Sequence, residues 1–534
     1  MNSGRRRFLT LGAGLAVQAA PIAALARPAL RGGALKHVGI EPPTFDIHAP
    51  AGEQAQLVSS FVRRGLFKFV SGSWHDPSDF TLVPDLARSV VGATDGRSYT
   101  VTLRQGVRWE RRAPVHGREL VAADVKYSLE RALAKSPYAS LLGPVEAIEI
   151  FGRYALRVHL RSPFTPFLHN LAEPWTAILP PEVEDSLGGF RSATSLIGCG
   201  PFVLERYEPG VKVIFVRNRD YHRRGLPRLD RVEWIFLRDR STRLSLFRAG
   251  ELDIPSHDGR ISSAEAETLM SSASRYPVAR WDMLGGRTLA MRVDRPPFSD
   301  ARVRQALSLA VDRAKWGAPR LGLDASEPEG PVPSTMRRWS LGPRALGEGA
   351  RYLIHDPGRA RRLLAEAGFP NGLRVKCASW PGHGPEHVEA LKGLAADLRA
   401  VGVDLVVTDA EYESYARDCL TGKYEEATWD SSPLFTEVDS YLFALYRSGL
   451  VSNRSRVDDP QLDALLDAQR LPLTRSGRKK VIDDIQRRAL AQMYYLHAPI
   501  GKSLAAWAPR VKNYAPRNSL DRGAQLEVVW VEGA

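Results

Sequence analysis

Leu373-Arg-Val-Lys-Cys-Ala-Ser379 and Val403-Asp-Leu-Val-Val-Thr408 are short β-type runs, and they bracket a helix-length segment, residues 388–400. A second helical segment, residues 412–420, follows the second run. Strand, helix, strand, helix in that order is the pattern of βαβ units and predicts a parallel sheet. Just upstream, Asp356-Pro357 opens another helix. Asp caps it, Pro is tolerated at its first position, Leu363, Leu364 and Ala367 form its buried face, and Gly368 stops it.

The mixed α/β character continues outward. Val303, Ala306, Leu307, Ala310 and Val311 recur at helical spacing, with Ser299 as the expected N-cap. Residues 123–134 carry a similar stripe through Val125, Leu129, Ala132 and Leu133. Residues 99–103 and 155–160 alternate apolar and polar side chains, as half-buried strands do. Residues 211–216 make a further strand after the Pro209-Gly210 turn. Residues 324–349 are rich in Gly, Pro and charge and are expected to form a long surface loop.

The head of the chain has a different character. Arg5-Arg6-Arg7, then Phe8-Leu9, a weakly apolar stretch and Ala24-Leu25-Ala26 make the three-part pattern of an export signal. Paired arginines before Phe8 point to the twin-arginine subtype, which carries folded proteins. Gly12, Gly14, Gln18 and Pro21 make the stretch too mild and broken for a permanent span. No Cys follows Ala26 to take a lipid. Residues 1–26 are therefore expected to be a cleaved signal, leaving a soluble periplasmic protein that starts near Arg27.

The remaining 508 residues of the 534 exceed what one hydrophobic core supports, so two or more lobes are expected. Three of the +14 formal charges belong to the head, leaving +11. Lys and Arg are interleaved with Asp and Glu along the whole length, which argues against a nucleic-acid partner. Cys199, Cys377 and Cys419 are too few for a disulfide framework, although an oxidising compartment permits a Cys377–Cys419 bridge.

Enzymatic constellations are scarce. His383-Gly-Pro-Glu386-His387 has the spacing of one metallopeptidase class, which needs both histidines on one helix. Pro385 lies between them and would break such a helix, so the simpler reading is a loop leading into a helix at Val388. A metallohydrolase using His383, Glu386 and His387 is the alternative function. No GxSxG elbow, phosphate-cradling loop or HExxH occurs. Trp429-Asp430-Ser431-Ser432 falls where an α/β sheet exposes its ligand-facing loops. An aromatic face, a carboxylate and hydroxyls suit a small polar ligand with an apolar body; equally, Trp429 is a core residue.

Several segments, taken in order, resemble the peptide-type (dipeptide/oligopeptide, family 5) extracellular solute-binding proteins of ABC importers. They are Gly65-Leu66-Phe67, Val83-Pro84-Asp85-Leu86-Ala87, Asp95-Gly96 through Arg104, Gly106-Val107-Arg108-Trp109 and Ala123-Asp124-Val125. Gly198-Cys199-Gly200-Pro201-Phe202, Arg217-Asn218-Arg219-Asp220-Tyr221, Gly250-Glu251-Leu252-Asp253, Pro297-Phe298-Ser299-Asp300 and the Asp356–Phe369 stretch complete the series. Cys199 stands where that turn usually has threonine.

The resemblance implies an α/β, two-lobed periplasmic binding protein fold (type II, cluster C) with an extra subdomain on the first lobe. Residues 27–286 and 493–534 would form lobe I, with the subdomain at about 65–190, and residues 287–492 would form lobe II. It implies a monomeric receptor without cofactor and without enzymatic activity. That receptor would hand peptides or a related solute to membrane permease subunits and their cytoplasmic ATPase. Ala51, Gly52 and Glu53 would touch ligand from lobe I, and Tyr412, Trp429, Asp430, Ser431 and Ser432 from lobe II. Relatives that bind free peptides carry an aspartate a few residues after the tryptophan, which meets the α-ammonium. Here that place is Ser432, and Asp430 is the nearest carboxylate.

Overall fold

A computed structural model describes residues 32–49, 53–72, 75–257, 259–272, 276–282, 284, 286–316, 330–383, 385–431, 435–471, 474–499 and 502–533. The expected export signal, residues 1–26, lies outside them.

Two lobes are built on separate sheets. In the first, Ala34–Gly39 runs parallel to Arg231–Phe236, and Lys212–Arg217 and Phe202–Glu208 continue that sheet antiparallel. Its core is aromatic: Phe61 stacks on Phe215 at 4.7 Å and meets the edge of Trp234 at 5.5 Å. A second, wholly antiparallel sheet is ordered Ala87–Gly92, Ser98–Leu103, Ala155–Leu160, Val145–Gly152. The helix Ala122–Lys135 packs on it through Val125, Leu129 and Ala132.

The second lobe carries a five-stranded sheet ordered Val403–Asp409, Leu373–Ser379, Ala427–Ser431, Arg287–Met291, Tyr495–His497. The first three strands are mutually parallel, as the βαβ pattern demands, and the last two are antiparallel additions. One face is covered by the helices Ala301–Ala310, Pro357–Glu366 and Pro385–Arg399, around a core that includes Leu289, Val303, Leu364, Leu394 and Trp429. Strand alternation sends Ala290, Tyr495 and Asp430 to the opposite face. There Tyr415, Tyr424 and the helix Val438–Tyr446 pack.

The chain passes between the lobes twice. It leaves the strand Val278–Asp282 and re-enters as Arg287–Met291; it returns from Tyr495–His497 to Lys502–Ala506. Val278–Asp282 pairs with Lys502–Ala506 on one side, and Arg287–Met291 with Tyr495–His497 on the other.

A buried ionic knot fastens early and late segments of the first lobe. Arg64 donates to Asp85 at 2.6 Å and to Asp521 at 2.9 Å. Lys68 pairs with Glu527, which also accepts from the Tyr221 hydroxyl at 2.6 Å. Burial would raise the Asp85 carboxyl, but Arg64, His222 and Arg223 outweigh it and hold Asp85 well below the carboxylate range.

Local differences from expectation have physical causes. The helix Ala301–Ala310 is capped by Asp300, whose carboxylate accepts from Arg302 N–H at 2.8 Å; the Ser299 N–H instead closes a turn onto Arg295 O. The segment 330–349 is no mere surface loop, because Val332, Met336 and Leu346 are buried. The helix expected from Val388 begins at Pro385, whose missing N–H costs nothing in a first turn. Residues 412–420 divide into a short helix, Tyr412–Ser414, and a π-type turn, Tyr415–Cys419. Cys377 and Cys419 are separate, buried thiols.

The Gly198-Cys199-Gly200-Pro201 turn owes its glycines to a close backbone approach. A Cβ on Gly198 would lie 1.9 Å from the Val62 carbonyl oxygen, and one on Gly200 2.5 Å from the same atom. Gly198→Ala must therefore push two backbones apart, and we expect a loss of about 3 kcal/mol in urea unfolding. Gly342→Ala, with nothing within 4 Å of the new methyl, should stay within about 0.5 kcal/mol of the parent. Equal stability of the two variants would contradict this packing.

Candidate functional site

The strands Leu373–Ser379 and Ala427–Ser431 end side by side, with Ser379 in register with Trp429. Where parallel strands end, the chain must turn away and leaves a crevice for ligand. Two described connections meet there. After Ser379 comes half-buried Trp380, then the 3₁₀ turn Pro381–His383 and the helix from Pro385. After Asp409 comes the short helix bearing Tyr412, and the π-type turn that swings Tyr415 inward. Such turns recur at functional sites because one extra residue per turn re-aims a side chain.

The result is an aromatic wall. Trp380 lies 4.8 Å from Tyr412 and 5.7 Å from Tyr415, the latter stacked, and 4.8 Å from the edge of His383. His383 in turn lies 4.7 Å from His387. Spacings of this size are those of favourable aromatic pairs. Trp380 and Tyr412 keep part of their surface open, whereas Tyr415 is buried.

Beneath the wall sits Asp430, 1% exposed. One carboxylate oxygen accepts from the Tyr415 hydroxyl and lies 3.4 Å from His383 Nε2; the other pairs with Arg454. His383 Nε2 is also 2.9 Å from the Tyr415 hydroxyl. A carboxylate buried this far needs such company, since an isolated ion would cost several kcal/mol.

Trp429 points the other way, as its neighbour on a strand must. It is 0% exposed, and its indole N–H donates to the His387 carbonyl at 3.2 Å. His387 Nε2 lies 3.0 Å from the Ser379 hydroxyl. Burial, together with His383 and Arg287 nearby, pushes its pKa down to about 2, so it is neutral at ordinary pH.

The structure thus brings Tyr412, Trp429 and Asp430 to one strand end, with Ser431 closing the strand Ala427–Ser431. Glu53 begins the helix Glu53–Ser59. Ala51, Gly52 and Ser432 lie outside the described residues, as do the side chains of Glu53 and Ser431. His383 and His387 do not share a helical turn, because the helix starts between them at Pro385. Among the described residues no cluster of three or more His, Cys, Asp or Glu could hold a metal ion.

Sequence reasoning missed three members. Trp380 was findable, since it follows directly on the strand end that the βαβ reading identifies. Tyr415 faces inward only because of the π-type turn. Arg454 arrives from a distant loop, and no local pattern announces it.

With this geometry in hand, comparison with known proteins is informative. The family model for bacterial extracellular solute-binding proteins, family 5 Middle, matches residues 81–453. The glutathione-binding protein GsiB of Salmonella paratyphi A is 28% identical over 453 residues, covering 80% of this chain and 82% of its own. GsiB of Escherichia coli K12 is likewise 28% identical, over 457 residues, with the same coverage. Among solved structures, the binding protein AgaA of A. tumefaciens R10 in complex with agropinic acid superposes with a TM-score of 0.81. It has 24% identity and covers 94% of this chain and 99% of that one. DppA of Helicobacter pylori in complex with the peptide STSA gives 0.79, 21%, 94% and 98%. The metallohydrolase alternative finds no support among these relatives, which are binding proteins.

If Asp430 is the counter-charge of Arg454, Asp430→Asn must leave a cation facing a neutral amide in a buried site. We expect a loss of about 3–5 kcal/mol in urea unfolding, because one partner of a buried pair is removed. Pairing the change with Arg454→Met should recover much of it. A double variant no more stable than Asp430→Asn would show that the two charges are not coupled.

Proposed function

Because the chain belongs to the bacterial extracellular solute-binding proteins of family 5, we propose that it is a periplasmic receptor for an ABC importer. It is exported by the twin-arginine route, released by cleavage near Ala26 and active as a monomer. It captures a small solute between two lobes and delivers it to permease subunits driven by a cytoplasmic ATPase. It makes and breaks no bond. The observation that carries this reading is the aromatic wall of Trp380, Tyr412 and Tyr415 at the carboxyl ends of parallel strands, beside a double chain crossing.

The lobes are taken to divide at the crossings, with residues 287–497 as the second lobe, since the strand Tyr495–His497 pairs into its sheet and so moves the expected boundary at 492 onward, and residues at about 65–190 as the subdomain of the first. Closure is then a hinge motion of the strand pair Arg287–Met291 and Tyr495–His497 relative to the pair Val278–Asp282 and Lys502–Ala506. Trp380 and Tyr412 would cover the apolar part of the solute; Gly52 and the Ser431-Ser432 backbone would supply hydrogen bonds. Trp429 acts from beneath by fixing His387. Glutathione, agropinic acid and the peptide STSA, the ligands named for the relatives, are all small, polar and carboxylate-bearing. Peptides or amino-acid conjugates of that kind are the solutes proposed here.

Asp430 narrows the choice. Its carboxylate already serves Arg454, Tyr415 and His383, so binding an ammonium there would have to displace an internal partner. The solute's amino group, where it has one, is therefore met elsewhere, with Glu53 the nearest candidate in sequence reasoning, or is blocked.

Thermal unfolding of residues 27–534 against a library of peptides, opines, other amino-acid conjugates and metal chelates tests the proposal. One class should raise the midpoint, since a ligand at a hundredfold its Kd stabilises the native state by about 2.7 kcal/mol. Trp380→Ala should weaken that ligand by about tenfold or more. No stabilisation by any class would count against the receptor reading, and an unchanged affinity would remove Trp380 from the site.

A further inference from the structure

The segment after the strand Ala427–Ser431 turns a row of polar groups towards residues 165–176 of the first lobe. The Thr436 hydroxyl lies 2.8 Å from His169 Nε2 and donates to the Glu173 carboxylate. The Ser440 hydroxyl donates to Asn170 Oδ1 at 3.0 Å. Further along, Thr165 donates its N–H to Arg470 O at 3.0 Å and its hydroxyl to Leu471 O at 2.9 Å. The segment itself is moored to the second lobe's sheet. The Tyr495 hydroxyl donates to Leu445 O at 2.8 Å, and Met291 N–H donates to the Ser455 hydroxyl at 3.2 Å. These contacts therefore bridge the two lobes.

His169 and Glu173 are four residues apart in the chain and hold one hydroxyl between them. Glu173 is 7% exposed and Thr436 6%, while His169 keeps part of its surface open. A hydroxyl can donate to one neighbour while accepting from the other. The chain His169–Thr436–Glu173 is therefore satisfied whether Glu173 is ionised and His169 donates, or Glu173 is protonated and His169 accepts.

We propose that His169 and Glu173 of the first lobe grip the Thr436 hydroxyl of the second as the latch of the closed cleft, and that together they keep closure indifferent to mildly acidic pH. The inference rests on the lobe closure proposed above. Its test uses no solute, so its failure is distinguishable from a failure to find one.

The seam's titration supports the second half. Burial drives the Glu173 carboxyl up to about 7, despite the opposing bond from Thr436. Burial drives His169 down to about 3, and Arg478 adds to the effect. Glu437 and Asp521 also face Glu173, but Glu437 is paired with Arg478 at 2.8 Å and Asp521 with Arg64 at 2.9 Å. The Phe69 ring covers His169 at 5.0 Å.

Opening returns both groups towards their ordinary values, 4.5 for Glu173 and 6.5 for His169. Glu173, raised on closing, contributes in full below 4.5 and loses its contribution as pH climbs through about 7. His169, lowered on closing, contributes above 6.5 and loses its contribution as pH falls towards 3. Between 4.5 and 6.5 the two slopes are opposite, one proton each, and cancel.

Single-molecule energy transfer reads the ratio of closed to open molecules directly. Dyes go on Val211→Cys (Val211 is 51% exposed) and Arg399→Cys (side chain 70% exposed); the native cysteines are buried. In the parent the ratio should stay within about twofold between pH 4.5 and 6.5, one offset proton on each side. His169→Gln should make it rise as pH falls, by up to about tenfold per pH unit. Glu173→Gln should make it fall by the same measure. Thr436→Val should lower it about fivefold at every pH, the worth of one hydrogen bond. Parallel pH profiles in parent and both variants, or an unchanged ratio in Thr436→Val, would overturn the proposal.

Discussion

A carboxylate that water hardly reaches has to be compensated from within, and Asp430 sets that demand at the end of the middle strand of the second lobe's sheet. Arg454 meets it from a loop 24 residues further along the chain. Tyr415 meets it through a π-type turn that no ordinary helix would supply. His383 meets it from the connection on the other side. Three connections that could have splayed apart are gathered over one strand end. The aromatic wall is a consequence: Trp380 and Tyr412 lean on the rings that Asp430 holds in place. An ion pair this deep adds little net stability over an apolar filling. Its effect is to define where each ring stands.

The second strand-end residue does the opposite work. Trp429 faces the helix layer and fills it, with Leu289, Val375 and Leu394 in the same core. It holds the amino end of the helix Pro385–Arg399 through the His387 carbonyl. One strand thus provides rigidity on one face and a charged anchor on the other. Between the lobes the arrangement is different: two strand crossings and a seam that joins polar contacts to apolar ones, such as Phe435 against the Tyr138 ring at 5.7 Å. In the closure proposed here a solute shifts the balance only by what it gains from the closed form over the open one.

Much of the fold was legible beforehand. The strands at 373–379 and 403–408, the helix between them and the Asp356 cap follow from local pattern, and the parallel pairing follows from their order. The double crossing was not in the pattern; it came from resemblance. Of the site, Tyr412 and Asp430 were named from sequence and are gathered at the strand end, while the indole of Trp429 turned to the interior. That orientation is decided by strand phase relative to the sheet's two faces, which a five-residue strand does not reveal by itself. Arg454 and Tyr415 were invisible because long-range charge compensation and a π-type turn leave no periodic signature. The Ser299 cap failed for a smaller reason: the neighbouring Asp300 caps equally well, and the helix starts one residue later, at Ala301.

Everything here depends on capture by closure and release of the solute unchanged. Small-angle scattering of the purified chain, titrated with the solute that stabilises it, tests that most directly. The account predicts a radius of gyration that falls and levels off at one equivalent, with the solute recovered intact afterwards. A radius that does not change while solute binds, or recovery of a cleaved product, would contradict it.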